Sequence, residues 1–492
     1  MTSFKKNLLN IALFVIVLSS ANSQQYWREI PTPTQLRLNR LCFLDSLTGW
    51  IVGDSGIIIK TIDGGDSWTI QDSKTTYKIV DIFMLNRQRG WALAHNYETD
   101  TNTTTTILAT TDGGSNWTVE VYPEKYVYFF SIVFLDSANG WMAGLEGKVM
   151  GTSDGGASWF EAIIDPQSQR FEWDLYRIKF LSPQRGFAVG GRFDVTSVVW
   201  NTTNGGETWW SRQISGEPLY DIYFSDSLNG LGVGGDLEFG ASLVRTSNGG
   251  ADWVYQYLGF FGQARAITFR TAAESWVPLV FSGTYLYTLD SGHTWNSYYT
   301  THRKIMYDAT FTDPKTGYMV GDSGVVMKYN YFANNISLAH RWNLVSLPLS
   351  VTNPRKDLLF PTATSDAFAF TDQGYEPKDT LVNGLGYWMK FLSDQTVEIE
   401  GFPRLSDTFF VKKGWNLIGS ISYPIPVTSI VTDPPNILTS LFFGYENGYF
   451  RADTIQPGRG YWIAVNSDGR LIVNAPVSAP QPSGRLQSKG KE

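Results

Sequence analysis

Thr152-Ser-Asp-Gly-Gly-Ala-Ser-Trp159 is one of six copies of an eight-residue turn. The others are Thr61-Ile-Asp-Gly-Gly-Asp-Ser-Trp68, Thr110-Thr-Asp-Gly-Gly-Ser-Asn-Trp117, Thr202-Thr-Asn-Gly-Gly-Glu-Thr-Trp209, Thr246-Ser-Asn-Gly-Gly-Ala-Asp-Trp253 and Thr288-Leu-Asp-Ser-Gly-His-Thr-Trp295. Counted from Trp68 to Trp295, the tryptophan recurs every 42 to 50 residues. Four short strands at that period read as one blade of a β-propeller.

The turn explains its own residues. An acceptor at the third position (Asp63, Asp112, Asp154, Asn204, Asn248, Asp290) can take backbone N–H groups across a tight hairpin. The glycine at the fifth (Gly65, Gly114, Gly156, Gly206, Gly250, Gly292) adopts positive φ without a Cβ clash. The tryptophan (Trp68, Trp117, Trp159, Trp209, Trp253, Trp295) can fold back and keep water out. Asn204 and Asn248 keep the acceptor but lose the charge, so the turn reads as structural rather than as a calcium site, since hard cations prefer carboxylates.

A second pattern keeps step with the first. An apolar residue leads, six positions on, to a pair that normally begins with glycine: Phe43 to Gly49-Trp50, Met84 to Gly90-Trp91, Phe134 to Gly140-Trp141, Phe180 to Gly186-Phe187, Phe224 to Gly230-Leu231, Phe269 to Ser275-Trp276 and Phe311 to Gly317-Tyr318. Seven units follow, and the last has no turn. Tyr26–Ile30 is therefore expected to supply its fourth strand by pairing near Val325–Tyr329, which would remove an open sheet edge.

At the N-terminus, Lys5 and Lys6 precede an apolar run from Leu8 to Leu18, then Ala21-Asn22-Ser23. This reads as a cleaved signal peptide over 1–23, too short to span a bilayer. An exported protein is expected, in the periplasm, at the cell surface or outside the cell, with no transmembrane segment after cleavage. A formal charge of −7 without a basic stripe argues against a nucleic-acid partner. The single Cys42 excludes an intrachain disulfide.

The turn matches the Asp-box, or bacterial neuraminidase repeat. Over residues 24–332 the whole unit resembles the photosystem II assembly and stability factor family. The resemblance implies a seven-bladed propeller acting as a non-enzymatic scaffold in membrane-complex assembly. Sialidases and xyloglucanases share the repeat, which keeps a glycoside hydrolase with carboxylates at the channel mouth as the alternative. Arg28-Glu-Ile-Pro31 only echoes a sialidase motif, and no arginine triad accompanies it.

Beyond the propeller the chain duplicates. Trp342-Asn-Leu recurs as Trp415-Asn-Leu, and Gly386-Tyr-Trp as Gly460-Tyr-Trp, 73 or 74 residues apart. Two β-sandwich-like repeats are expected, 333–408 and 409–476, before a disordered tail over 477–492. They resemble C-terminal modules of secreted Bacteroidetes-type proteins. Their Gly-Tyr-Trp stripes read as repeat cores, with sugar stacking as the second reading.

The residue before the first apolar position of each leading strand forms a circle: Arg40, Asp81, Ser131, Arg177, Asp221, Ala266 and Asp308. Mutual ion pairing is the first reading and a polar binding mouth the second. With loop residues Trp173 and Tyr176, the charged members are the candidate binding residues for a protein or glycan of the cell envelope. Four histidines without ligand spacing, and no P-loop or nucleophile elbow, give no expected metal, cofactor or catalytic residue.

Overall fold

The computed structural model describes residues 26–96, 103–214, 216–299 and 303–475. The signal peptide assigned to 1–23 and the tail 477–492 lie outside the described residues, as does part of the loop after His95. Contacts divide the chain into two units, Tyr26–Tyr331 and the part from Phe332 onward. Both are built of strands, and no helix among the described residues is long and apolar enough to cross a membrane.

Residues 26–331 fold as a β-propeller. Seven sheets are present among its described residues, and the first is Leu38–Phe43, Gly49–Gly53, Ile58–Thr61 and Thr69–Gln71 in up-and-down order. The leading strands, which lie innermost, are Leu38–Phe43, Lys78–Met84, Phe129–Phe134, Leu175–Phe180, Leu219–Phe224, the broken pair Gln263–Ala264 and Thr268–Phe269, and Met306–Asp313. Each sheet packs on the next in cyclic order, and Met306–Asp313 packs back on Leu38–Phe43. The fourth strand of the seventh sheet is Trp27–Ile30, antiparallel to Val326–Tyr329 with Trp27 opposite Tyr329 and Ile30 opposite Val326.

In every turn the acceptor side chain closes a small network. Gly65 N–H donates to Thr61 Oγ1 (2.8 Å) and Ser67 N–H to Asp63 Oδ1 (2.9 Å). Asn204 and Asn248 accept the same N–H groups, from Thr208 at 3.1 Å and Asp252 at 2.9 Å. Gly64 and Gly65 sit at φ 74° and 87°, where a side chain is strained. Trp68 lies back over the turn, 3.2 Å from where a Cβ on Gly65 would be.

The turn also reaches the neighbouring sheet. Trp50 Nε1 donates to Gly113 O (3.1 Å), Trp91 Nε1 to Gly155 O (3.0 Å) and Tyr318 Oη to Gly64 O (2.9 Å). Where Phe187 and Leu231 replace the donor ring, an arginine takes its place: Arg185 bonds Gly249 O and Arg245 bonds Gly292 O. The strand-two aromatic and the turn glycine are thus two halves of one contact between sheets.

Trp276 faces the seventh sheet, which has no such turn. Its Nε1 donates instead to Glu274 Oε1 (2.8 Å), which also accepts Tyr329 Oη (3.1 Å), while Arg270 pairs with Oε2 at 2.5 Å. Trp27 fills the space beside them, with ring centroids 5.5 Å from Trp276 and 5.1 Å from Tyr329.

In the second unit each repeat sets a three-stranded and a four-stranded sheet around its own core, and the second repeat adds the short pair Ile425–Pro426 and Thr454–Ile455. One core gathers Ile336, Val345, Tyr387, Met389 and Ile399, the other Ile418, Tyr461, Ile463, Leu471 and Val473.

Glu274 is 6% exposed. Glu274→Ala strips an acceptor from two donors and leaves Arg270 without its carboxylate, an expected loss of about 3 kcal/mol in chemical denaturation. Glu274→Gln keeps an acceptor and is expected to lose clearly less.

Candidate binding site at the propeller mouth

Six leading strands carry a register break at equivalent positions: Leu38/Arg40, Ile79/Asp81, Phe129/Ser131, Leu175/Arg177, Leu219/Asp221 and Met306/Asp308. The sixth sheet is interrupted there altogether, between Ala264 and Thr268. A bulge sets two residues against one and re-aims a side chain. Two successive side chains per strand therefore turn toward the axis, and they form two levels.

The deeper level is the circle of charges. Arg40 lies 3.3 Å from Asp81 and 3.4 Å from Asp308. Arg177 lies 3.3 Å from Asp81 and 3.4 Å from Asp221, and Lys179 reaches Asp221 at 2.6 Å. Each carboxylate also accepts a backbone N–H of the following sheet: Asp81 from Ile132 (2.8 Å), Asp221 from Ile267 (3.0 Å) and Asp308 from Leu41 (3.1 Å). Burial alone would raise the Asp221 carboxyl, but Lys179 and Arg177 outweigh it and hold it below the ordinary carboxylate range. Three cations thus face three carboxylates, and the level is neutral.

The level above it is Asn39, Val80, Phe130, Tyr176, Tyr220, Arg265 and Tyr307, one residue from each sheet. These line a cavity of about 230 Å³ together with Arg37, Arg40, Lys78, His95 and Phe193. None of the twelve is a carboxylate. Arg37 is matched by Asp322 at 2.8 Å. Arg265 bonds Gln263 Oε1 (2.7 Å) and lies 4.7 Å over the Tyr220 ring. Neither Arg265 nor Lys78 makes an ion pair with another described residue. Burial lowers the Lys78 ammonium; Asp54 opposes this, and Arg37 and Arg265 add to it. The wall therefore carries two cations without a contact ion pair, framed by tyrosines, with Asp54 behind Asn39 as the acidic group that acts on Lys78.

Of the sequence-selected residues, Arg40 and Tyr176 reach this wall. Asp81, Arg177, Asp221 and Asp308 sit one level below, in the neutral circle. Trp173 packs against the fourth sheet's core, 5.3 Å under the Arg192 guanidinium. Lys78, Tyr220, Arg265 and Tyr307 were missed because strict two-residue alternation sends them to the opposite face, and only a bulge turns them inward. Asp194, Glu217 and Asp236 bring ligand oxygens within 4.8 Å of one another. This metal-like geometry links loops far apart in sequence, and no spacing rule would have found it.

Comparison with known proteins matches the family model described as Photosynthesis system II assembly factor YCF48 at residues 19–119 and 68–169. The propeller resembles that family. The photosystem II assembly lipoprotein Ycf48 of Synechococcus sp. (strain CC9902) is 26% identical over 175 residues. That match covers 32% of this chain and 49% of the relative, so the chain spans about half the length of the curated relative it matches. A solved structure of YCF48 bound to D1 peptide superposes with a TM-score of 0.50 at 20% identity, covering 62% of this chain and 96% of the other. YCF48 from Cyanidioschyzon merolae gives 0.49 at 18% identity, covering 62% and 98%.

His95 is 2% exposed on the wall's inner side, its Nε2 2.8 Å from Phe129 O. Burial, then Lys78, brings its pKa from 6.5 to about 4. Between those values the unfolded chain binds a proton that the folded chain refuses, so stability falls as pH drops. The expected loss from pH 7 to pH 4 is roughly 3 kcal/mol from this group. Chemical denaturation across that range checks it, and His95→Gln is expected to flatten this component.

Proposed function

We propose that this chain is a non-enzymatic, exported scaffold whose propeller mouth receives an acidic polypeptide segment or a chain-terminal carboxylate during assembly of an envelope or membrane complex. The carrying observation is the pair Lys78 and Arg265, neither in a contact ion pair, on a wall whose lining has no carboxylate, set among Tyr176, Tyr220 and Tyr307. At about 230 Å³ the cavity is smaller than the roughly 300–1,000 Å³ of small-molecule pockets, which suits an end or side chain better than a whole metabolite. Tyrosine and arginine are the residue types that anchor protein interfaces.

The peptide-bound YCF48 supports this reading by analogy of fold, and the relative's description as an assembly lipoprotein supports the scaffold role. The basic, apolar and small-residue succession before Gln24 supports export. Hydrolysis at the mouth fits the geometry poorly. A glycosidase needs two carboxyls flanking one bond, and the three aspartates at the axis are held in ion pairs and backbone hydrogen bonds.

The test is fluorescence anisotropy of a labelled peptide ending in Asp-Glu with a free carboxylate, against its amidated, Asn-Gln counterpart. The acidic peptide is expected to bind at least tenfold tighter, with affinity falling as salt rises. Arg265→Glu and Lys78→Glu are each expected to weaken it tenfold or more. Equal binding of both peptides overturns the reading, as does glycan cleavage by the purified chain that is lost in Asp81→Asn.

A further inference from the structure

The two C-terminal repeats place their aromatic residues in equivalent register. Leu344 lies opposite Trp388 as Leu417 lies opposite Trp462, and Phe368 opposite Trp388 as Phe443 opposite Trp462. Phe370 faces Tyr375 across its hairpin as Tyr445 faces Tyr449.

The repeats then exchange rings. Phe370 of the first packs edge-on against Trp462 of the second at 4.9 Å, and Tyr445 of the second against Trp388 of the first at 4.8 Å. Trp342 stands 6.3 Å from Trp388, and Trp415 stands 6.4 Å from Trp462. Tyr375–Trp462 and Tyr449–Trp388 are both 6.5 Å apart at 86°. This is a pseudo-two-fold cluster, in which Trp462 is buried and Phe370, Trp388 and Tyr445 are half-buried beneath the outer rings.

The outer rings remain open to solvent. Trp342 is 40% exposed, Trp415 51%, Tyr375 53% and Tyr449 61%. Around Trp415 they leave a recess of about 460 Å³ lined by Phe370, Trp415, Phe443, Tyr449 and Trp462, with no aliphatic side chain. Exposed apolar patches of this kind mark ligand grooves or interfaces. Three neighbouring cations are paired, Lys378 with Glu376, Arg451 with Asp453, and Arg459 with Glu446, and Lys390 lies opposite Trp342 in register. The recess around Trp415 itself is lined by no charged side chain. An all-aromatic recess without charged lining matches a ligand that has flat C–H faces and hydroxyl rims.

We propose that this face is a carbohydrate-binding site for β-1,4-linked pyranose chains, whose equatorial hydroxyls leave both ring faces free to stack on Trp415 and Trp342. Trp342 and Trp415 hold equivalent positions in the two repeats and suit successive parts of one chain. The site is independent of the propeller mouth and stands or falls separately from it.

The test is native affinity electrophoresis of the full chain in gels containing barley β-glucan, birch xylan or glycol chitin. Retardation by at least one is expected, together with a change in tryptophan fluorescence on titration with the matching oligosaccharide. Trp415→Ala with Tyr449→Ala is expected to weaken binding tenfold or more, and adding Trp342→Ala with Tyr375→Ala to abolish it. Trp415→Phe, which keeps a stacking face, is expected to retain most of it. Unchanged circular dichroism in the variants separates lost binding from lost fold. The proposal is overturned by no retardation in any of the three gels, by variants that bind like the parent, or by a proline-rich peptide occupying the face in place of glycan.

Discussion

The propeller depends on a carbonyl that belongs to one sheet and is bonded by the next. The turn glycines at positive φ, Gly64, Gly113 and Gly155, present their carbonyls sideways to Tyr318, Trp50 and Trp91. A buried indole or phenol donor left without an acceptor costs about 1–3 kcal/mol, so turn and ring stay matched at these three junctions. Lys60 and Lys328 add second donors to the same carbonyls. The constraint explains its own exception. The seventh sheet has no turn to offer Trp276, and Glu274, one residue before Ser275 where the glycine pattern fails, supplies the acceptor itself.

Inside that frame, the axis is held by charge. Three aspartates bind the backbone of the following sheet, and three cations neutralise them. Such a circle is costly to desolvate and strongly destabilising to break at one member, so it reads as a framework for the mouth rather than as its chemistry. Because the circle is already neutral, any cation on the wall above it acts outward. Lys78 and Arg265 are in that position.

The periodic part of the chain was legible in advance. Turn residues, strand spacing and the all-β, propeller-containing class follow from local rules of φ, hydrogen bonding and two-residue alternation. The charged circle chosen from the sequence lies one level below the residues that line the cavity, since alternation breaks at the bulges and no composition cue announces them. In the second unit the Gly-Tyr-Trp stripes divide by residue. Tyr387 and Tyr461 are core, whereas Trp388 and Trp462 join the aromatic cluster. Alternation along the strand predicts that division, but the exchange of rings between repeats requires the three-dimensional pairing.

Repeats supply an internal comparison. Positions that serve packing between sheets recur with little variation, as the six turn tryptophans and the glycines of strand two do. The wall of the mouth does the reverse: seven equivalent positions carry Asn39, Val80, Phe130, Tyr176, Tyr220, Arg265 and Tyr307. Packing against identical neighbours favours identical residues, so divergence at equivalent, axis-facing sites points to something asymmetric in the space between them. The aromatic face makes the opposite case. Its two halves match ring for ring, as suits a ligand that is itself a repeating chain. Variation at one axis and repetition at the other are two physical reasons for placing a peptide at the first and a glycan on the second.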